Sequence, residues 1–386
     1  MFKSIGCKTA TLFSGFALCA AAAYSPLASA QDDTQVTLEE IVVTAQKRSQ
    51  VLAEIPMSVT VLGGETIKRQ QIFNFQDMVP LVPGLSIAGT SVGVNRITLR
   101  GLNTAGVAST IGIYLDEVPF GSSTGQANGA ILSGDFDTFD MARVEVLRGP
   151  QGTLYGASSL GGVMKYVPNR PNTEKKEASL AGSVETVDEG DPGYDISGMV
   201  NLPVNDKFAL RASAFHRSDD GFVDSIGNNP IALPSTVPYD NYTRVAENIN
   251  KVDSTGGRLQ ALFKFNENVS FNLMALAQDI ENQETSSVDA DPQTLKPLYG
   301  TLAQSSYHPD INDIEYRLYS GTLDWDFGGA SLLSVTSYST FLQDIQGDLD
   351  PNFAALFTGV LPLFGLSTGE PLGAMLLQNT STEKLT

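Results

Sequence analysis

A small mixed α/β domain followed by antiparallel, membrane-type β-strands is the architecture this sequence predicts. About seven such strands are legible, too few to close a barrel around that domain. Three observations carry the prediction. Glycines crowd one stretch, Arg143-Val-Glu-Val-Leu-Arg-Gly-Pro-Gln-Gly-Thr-Leu-Tyr-Gly156, with Gly161-Gly162-Val-Met-Lys-Tyr-Val167 close behind. From Glu177 onward, apolar and polar residues alternate over long segments. The connections between those segments alternate between short and long.

The N-terminus has the pattern of a secretory leader over residues 1–30. Lys3 and Lys8 precede an uncharged apolar core, Thr11 to Ala23, and Ala28-Ser29-Ala30 is a small-residue cleavage site. An anchor helix needs a longer apolar run of about 20 residues. Cys19 follows Leu18, where a lipoprotein signal calls for a small residue, so lipidation is set aside. Both cysteines, Cys7 and Cys19, lie in this leader, and the mature chain has no thiol chemistry. Without Lys3 and Lys8 the 24 basic residues become 22, against 43 acidic ones. So acidic a chain does not fit nucleic acid, because phosphate neutralisation needs an excess of Lys and Arg.

Residues 31–52 form an N-terminal segment. Gln31 to Thr37 is polar, and Glu40-Ile41-Val42-Val43-Thr44-Ala45 is a β-prone run flanked by charge. Such a strand near a terminus can add itself to a partner's sheet edge. It reads equally well as the first strand of the domain behind it.

That domain is placed at 53–170. Val59 to Leu62 is a strand, Gly64 to Gln70 and Phe75 to Val79 are short helices, and Pro80 stops the second. Val82-Pro83-Gly84-Leu85 is a turn. Asn95 to Gly101 alternates as a strand, and Ile111 to Val118 is another, ended by Pro119. In the strand from Arg143, Val144, Val146 and Arg148 share one face, and Gly149-Pro150 breaks it. Closely spaced glycines there imply backbone packed on backbone. Gly-rich connections are expected over Ala88–Val94, Asn103–Thr110 and Gly121–Gly134. Arg100 and Arg148 each precede a glycine at a strand end, where a lone Arg is ordinarily a solvated cation.

Residues 171–386 are assigned to barrel strands near 177–187, 193–203, 206–218, 252–265, 268–280, 313–327 and 330–344. Phe208, Leu210, Ala212 and Ala214 share a face opposite Arg211 and Ser213. Leu259, Ala261, Phe263 and Phe265 likewise oppose Gln260 and Lys264. Lipid on one face and a polar lumen on the other produce this pattern, although a soluble β-sandwich alternates too. Short turns at Val204-Asn205, Asn266-Glu267 and Gly328-Gly329 against long loops from Asp219, Glu281 and Gly347 favour the outer-membrane barrel. Tyr239, Tyr242, Tyr307, Tyr316 and Tyr338 are read as girdle or packing aromatics, and Phe353 to Leu366 as part of a loop.

In order, the motifs Val82-Pro-Gly-Leu85, Arg96-Ile-Thr-Leu-Arg-Gly101, Tyr114-Leu-Asp-Glu-Val-Pro119 and Arg143 to Gly156 resemble the plug domain of TonB-dependent outer-membrane receptors. The resemblance implies a plug within a β-barrel and a location in the Gram-negative outer membrane, in contact with its lipid. By the same resemblance Glu40, Ile41, Val42, Val43, Thr44 and Ala45 are the TonB box, offered to TonB and its inner-membrane energising complex. Arg100 and Arg148 are then latches pairing with barrel-wall carboxylates. Family ligands are scarce nutrients outside the cell: siderophores, haem, cobalamin and carbohydrates, with an iron chelate the default. No signalling domain fits between leader and box. A closed family barrel has roughly 22 strands, and this chain has room for roughly eight. The expectation is therefore an N-terminal portion of a longer receptor. The alternatives are a secreted or surface β-rich binding protein without transport, or an inert truncated receptor.

Catalytic readings fail on context. Gly121-Ser-Ser-Thr-Gly125 matches a nucleophile-elbow pattern but lies in a Gly/Ser loop, and His216 and His308 belong to no motif. Asp135, Asp137 and Asp140 lack the Gly and distal Glu of a calcium loop and are read as surface polarity. An enzyme, a metal site and a cofactor are not expected.

Overall fold

A computed structural model describes residues 41–103, 108–121, 133–227, 245–291, 293–299, 301–306, 309–348 and 375–386. The expected leader, Glu40, Tyr239, Tyr242, Tyr307 and Phe353–Leu366 lie outside them. Val42–Thr386 is one compact unit.

The small domain begins with a hairpin, β1 (Val42–Val43) antiparallel to β2 (Gln50–Val51). Next come β3 (Val59–Gly63), α1 (Gly64–Arg69) and α2 (Phe75–Met78). A capping box starts α2: Asn74 Oδ1 accepts from Gln76 N and Asp77 N, and Asp77 Oδ2 accepts from Asn74 N. After β4 (Leu85–Ser91) and β5 (Val94–Leu99) follow β6 (Ile111–Leu115) and β7 (Val118–Phe120). The domain closes with β8 (Met141–Arg148), α3 (Gly152–Tyr155) and β9 (Gly162–Pro168). Five strands form one sheet in the order β3-β8-β9-β6-β7, with β6 parallel to β9 and the other pairs antiparallel.

Two expectations change here. Ala88–Val94 is the end of a hairpin, β4 against β5, and not an open loop. Ile111–Val118 is two strands: Asp116 takes a left-handed φ of 52° and gives its N–H to Tyr166 O at 2.7 Å, turning the chain back. The glycine crowding has the expected cause. A Cβ at Gly162 would stand 2.2 Å from Leu147 O, so β8 and β9 close only without a side chain there. β8 is buried on both faces, with Val144 and Val146 in the main core and Leu147 in a second cluster on the opposite side.

The second part is one antiparallel sheet of eight long strands: β10 (Glu177–Glu185), β11 (Gly193–Asn205), β12 (Phe208–Asp219), β15 (Val252–Asn266), β16 (Val269–Asn282), β18 (Ile311–Asp326), β19 (Ser331–Asp348) and β20 (Met375–Leu385). Seven of these match the sequence reading. The eighth, β20, lies in the stretch assigned to the loop after Gly347. Between them, short β13 (Asp224–Ile226), β14 (Val245–Ala246) and β17 (Ala303–Gln304) pair into a small sheet joining two of the long connections. Leu180, Ile196, Leu202, Leu259 and Leu273 are exposed on the outer face, while Arg211, Gln260, Asn272 and Gln278 are buried inside, as the alternation predicts.

The inner face is not uniformly polar. Met274, Leu276, Ile280, Ile314, Tyr316, Leu318 and Phe341 on β16, β18 and β19 join the core of the small domain. Tyr316 is therefore a packing residue, its ring 5.3 Å from that of Phe120 and 5.5 Å from that of Phe136. Burying apolar area at about 25 cal/mol per Å² welds this wall to the domain it encloses.

Candidate functional site

Two clusters of buried charged side chains fasten segments of the chain to the fold. The first holds the chain's N-terminal strand. Ile41 and Val42 are exposed, whereas Val43 and Ala45 are fully buried. They sit in a pocket with Ile55, Tyr114, Leu147, Tyr155 and Val163. Thr44 is held by polar contacts. Its N–H donates to Glu145 Oε1 at 3.0 Å, and its hydroxyl donates to the same oxygen at 3.3 Å while accepting from Lys165 Nζ at 2.8 Å. Tyr155 donates its hydroxyl to Ala45 O at 2.9 Å.

Charge pairing makes this dock stiff. Glu145 and Lys165 are completely buried on neighbouring strands, opposite each other in the β8–β9 register. Arg143 Nε donates to Glu145 Oε1 at 2.7 Å, and Lys165 pairs with Glu117. Lys47, in a left-handed conformation after the Thr44–Lys47 turn, reaches Glu117 Oε2 at 2.9 Å. Its ammonium also lies 4.6 Å from the Tyr155 ring centre and 5.1 Å from that of Tyr114. Burial opposes the charge of Glu117, but Lys165 and Lys47 together hold its carboxyl below the usual range. That stabilisation is complete above the ordinary carboxylate pKa and is lost as pH falls through the depressed value, so acid loosens the dock. Tyr155→Phe is expected to weaken docking modestly, by about 0.5–1.5 kcal/mol for one neutral hydrogen bond. Spin-label mobility at residue 42 would register the change.

The second cluster ties the segment before β8 to the wall. Asp140 accepts from Arg211 Nε at 2.8 Å and Nη2 at 2.6 Å, a bidentate pair, and from Arg258 Nη2 at 3.3 Å. The same Arg258 nitrogen donates to the Asp140 carbonyl at 2.7 Å. Asp137 pairs with Arg217, whose guanidinium lies 3.4 Å from the Phe73 ring centre. Gln278 closes the row, accepting from Asp137 N at 3.0 Å and donating to Asp135 O at 2.9 Å. Asp135, Asp137 and Asp140 are thus buried, correcting the reading of surface polarity. Their carboxylates meet arginines and backbone donors, and among the described residues no group of side chains is arranged to hold a metal.

Arg100 and Arg148 stand elsewhere. Arg100 is exposed at the end of β5, with a left-handed φ of 52°, and its N–H donates to Gly84 O at 2.8 Å. Arg148 reaches Pro83 O at 3.4 Å. Among the described residues, the ion pairs from the small domain to the wall run from its aspartates to wall arginines. The sequence offered a signal for them: Arg211 and Arg217 share the lumen side of β12 with Ala209, Ser213 and Phe215, where a buried cation needs a partner.

The family described as TonB-dependent Receptor Plug Domain matches residues 51–163. A hemin receptor of Yersinia enterocolitica is 33% identical over 195 residues, covering 49% of this chain and 24% of that protein. The ferrichrome outer membrane transporter/phage receptor of Escherichia coli is 26% identical over 184 residues, covering 45% of this chain and 22% of its own. The chain thus spans about a quarter of the length of these relatives. Among solved structures, a variant of the ferric enterobactin receptor of Pseudomonas aeruginosa superposes with a TM-score of 0.59 at 17% identity. That match covers 89% of this chain and 47% of the other, and it shows a shared fold.

Proposed function

We propose, from a chain that is a TonB-dependent outer-membrane receptor in its plug domain and first barrel strands, that it serves energised uptake of a scarce extracellular nutrient. An iron chelate is the ligand class we assign, since the relatives are named for hemin and ferrichrome and the structural neighbour for ferric enterobactin. Residues 1–30 act as the export leader. Glu40 to Ala45 form the box that TonB captures.

The observation that carries this reading is the half-docked strand. Ile41 and Val42 are open to a partner, β1 is paired along one edge only among the described residues, and the next residues are fastened to the plug through Glu145 and Tyr155. A partner strand adding to the free edge gains main-chain hydrogen bonds. Tension then acts first on the β1–β2 hairpin and next on β3, an edge strand bonded only to β8. The remaining strands stay tied to the wall by Asp137 and Asp140. Arg100 and Arg148 serve as further latches that pair with barrel-wall carboxylates.

The test is disulfide cross-linking of a cysteine at residue 42 to the periplasmic domain of TonB in outer-membrane preparations. Cross-linking that rises on addition of an iron chelate, together with chelate uptake abolished by Val43→Pro, is the expected result. Equal cross-linking from a cysteine on the outer face, such as one at residue 196, would sink the proposal.

A further inference from the structure

Asp135 is bonded to two parts of the plug that are distant from it in sequence. Its Oδ1 accepts from Phe75 N, at the start of α2, at 2.9 Å. Its Oδ2 accepts from Asn95 Nδ2 on β5, beside the tip of the β4–β5 hairpin, at 3.0 Å. Through its backbone the residue also meets the barrel wall, with its N–H near Tyr316 Oη at 3.3 Å and its carbonyl taking Gln278 Nε2. The hairpin tip touches that wall as well, since Asn282 Nδ2 donates to Val92 O at 3.1 Å. The carboxyl therefore joins hairpin and helix, and the backbone of the same residue joins them to the wall.

Among the described residues no cation is bonded to this carboxyl. The charged and titratable groups around it are Asp77, which caps α2, Asp137 with its partner Arg217, and the hydroxyls of Tyr166 and Tyr316. Beside it, Asn95 Oδ1 is buried and has no hydrogen-bond partner. Burial beside Asp77 and Asp137, with the nearest guanidinium already paired to Asp137, disfavours the ionised form of this carboxyl.

We propose that Asp135 is a proton-dependent tie at the plug apex: protonated, it holds the hairpin tip and α2 together against the wall, and ionised, it lets them part. Burial, reinforced by Asp77 and Asp137, raises its carboxyl from 3.8 to about 8, against the backbone donors that favour charge. The sign follows. A raised carboxyl contributes stability that is complete below the ordinary carboxylate range and lost as pH rises toward 8. Because the opened segment ionises freely, local opening becomes about tenfold more frequent per pH unit between pH 5 and 7, and levels off above about 8. TonB plays no part in this device, so its test is separate from that of the transport reading.

The experiment is hydrogen exchange of the Phe75 and Gly93–Asn95 amides in the detergent-solubilised chain from pH 5 to 9, corrected for intrinsic exchange. Protection that falls about tenfold per pH unit up to 7, and a pH-independent profile in Asp135→Asn, is the expected pair of results. Corrected protection that stays constant in the unsubstituted chain overturns the proposal. Should Asp135→Asn fail to fold, infrared spectroscopy of the unsubstituted chain decides instead. A protonated carboxyl band present at pH 7 and lost by pH 9 supports the tie, and its absence at pH 7 overturns it.

Discussion

Asp140→Ala is expected to loosen the plug from its wall by about 3–5 kcal/mol, because it strands two buried guanidinium groups at once. Arg211 and Arg258 are each about 5% exposed and converge on the one carboxylate. Arg211 keeps a contact to Glu177 at 3.3 Å, but that carboxylate is only half-buried and compensates in part. Arg258 keeps only the Asp140 carbonyl and the Met141 sulfur. Two charges without a counterion draw in water or shift the strand that carries them. Urea-dependent protease cleavage at residues 133–140 reports the release, and cleavage unchanged from the parent chain would refute it. Replacing all three residues by apolar ones of similar volume, Asp140→Leu with Arg211→Met and Arg258→Met, should restore most of the loss. The cost of the single change lies in the unpaired charges more than in the pair itself.

Glu145→Ala is the second large effect, and it acts on the other cluster. The single oxygen Glu145 Oε1 receives Thr44 N, Thr44 Oγ1 and Arg143 Nε. Its removal leaves the Thr44 N–H unsatisfied and deprives buried Lys165 of the carboxylate opposite it, with Glu117 still in place. Hydrogen bonds to a charged group contribute about 1.5–3 kcal/mol each, so the undocked population of the strand should rise by about 10-fold or more. Spin labels at residue 42 should gain mobility, and cross-linking to TonB should no longer depend on ligand. A parent-like spectrum would show that Val43 and Ala45, through apolar burial alone, are sufficient to hold the strand. Lys165→Met with Glu145→Ala separates the two causes, since it removes the buried ammonium that has lost its facing carboxylate while Lys47 still pairs with Glu117.

Position in the membrane-type strands was legible because their period is local. Lipid outside and plug or lumen inside impose alternation on every strand, and Arg211, Gln260 and Gln278 fell on the inner face as read. The plug was legible through the order of its turns: proline and glycine act on their own backbone, and Gly162 has its predicted cause in the close approach of Leu147 O. β20 escaped notice since it follows a stretch whose composition carries no period of its own.

What the sequence by itself determined is the plug-and-barrel architecture, the strand faces and the β-prone run that offers Ile41 and Val42. The tertiary structure alone decided which charges meet. Asp135, Asp137 and Asp140 read as surface residues because hydrophilicity ordinarily predicts exposure. They are buried because arginines 71 to 118 positions later, and backbone donors, come round to them. A buried charge is determined by its partner, and a partner contributed by a distant strand leaves no mark on the residues beside it. The same holds for the dock: Glu145 lies 101 residues from Thr44, and only the sheet order that places β8 beside β3 and β9 brings the two together.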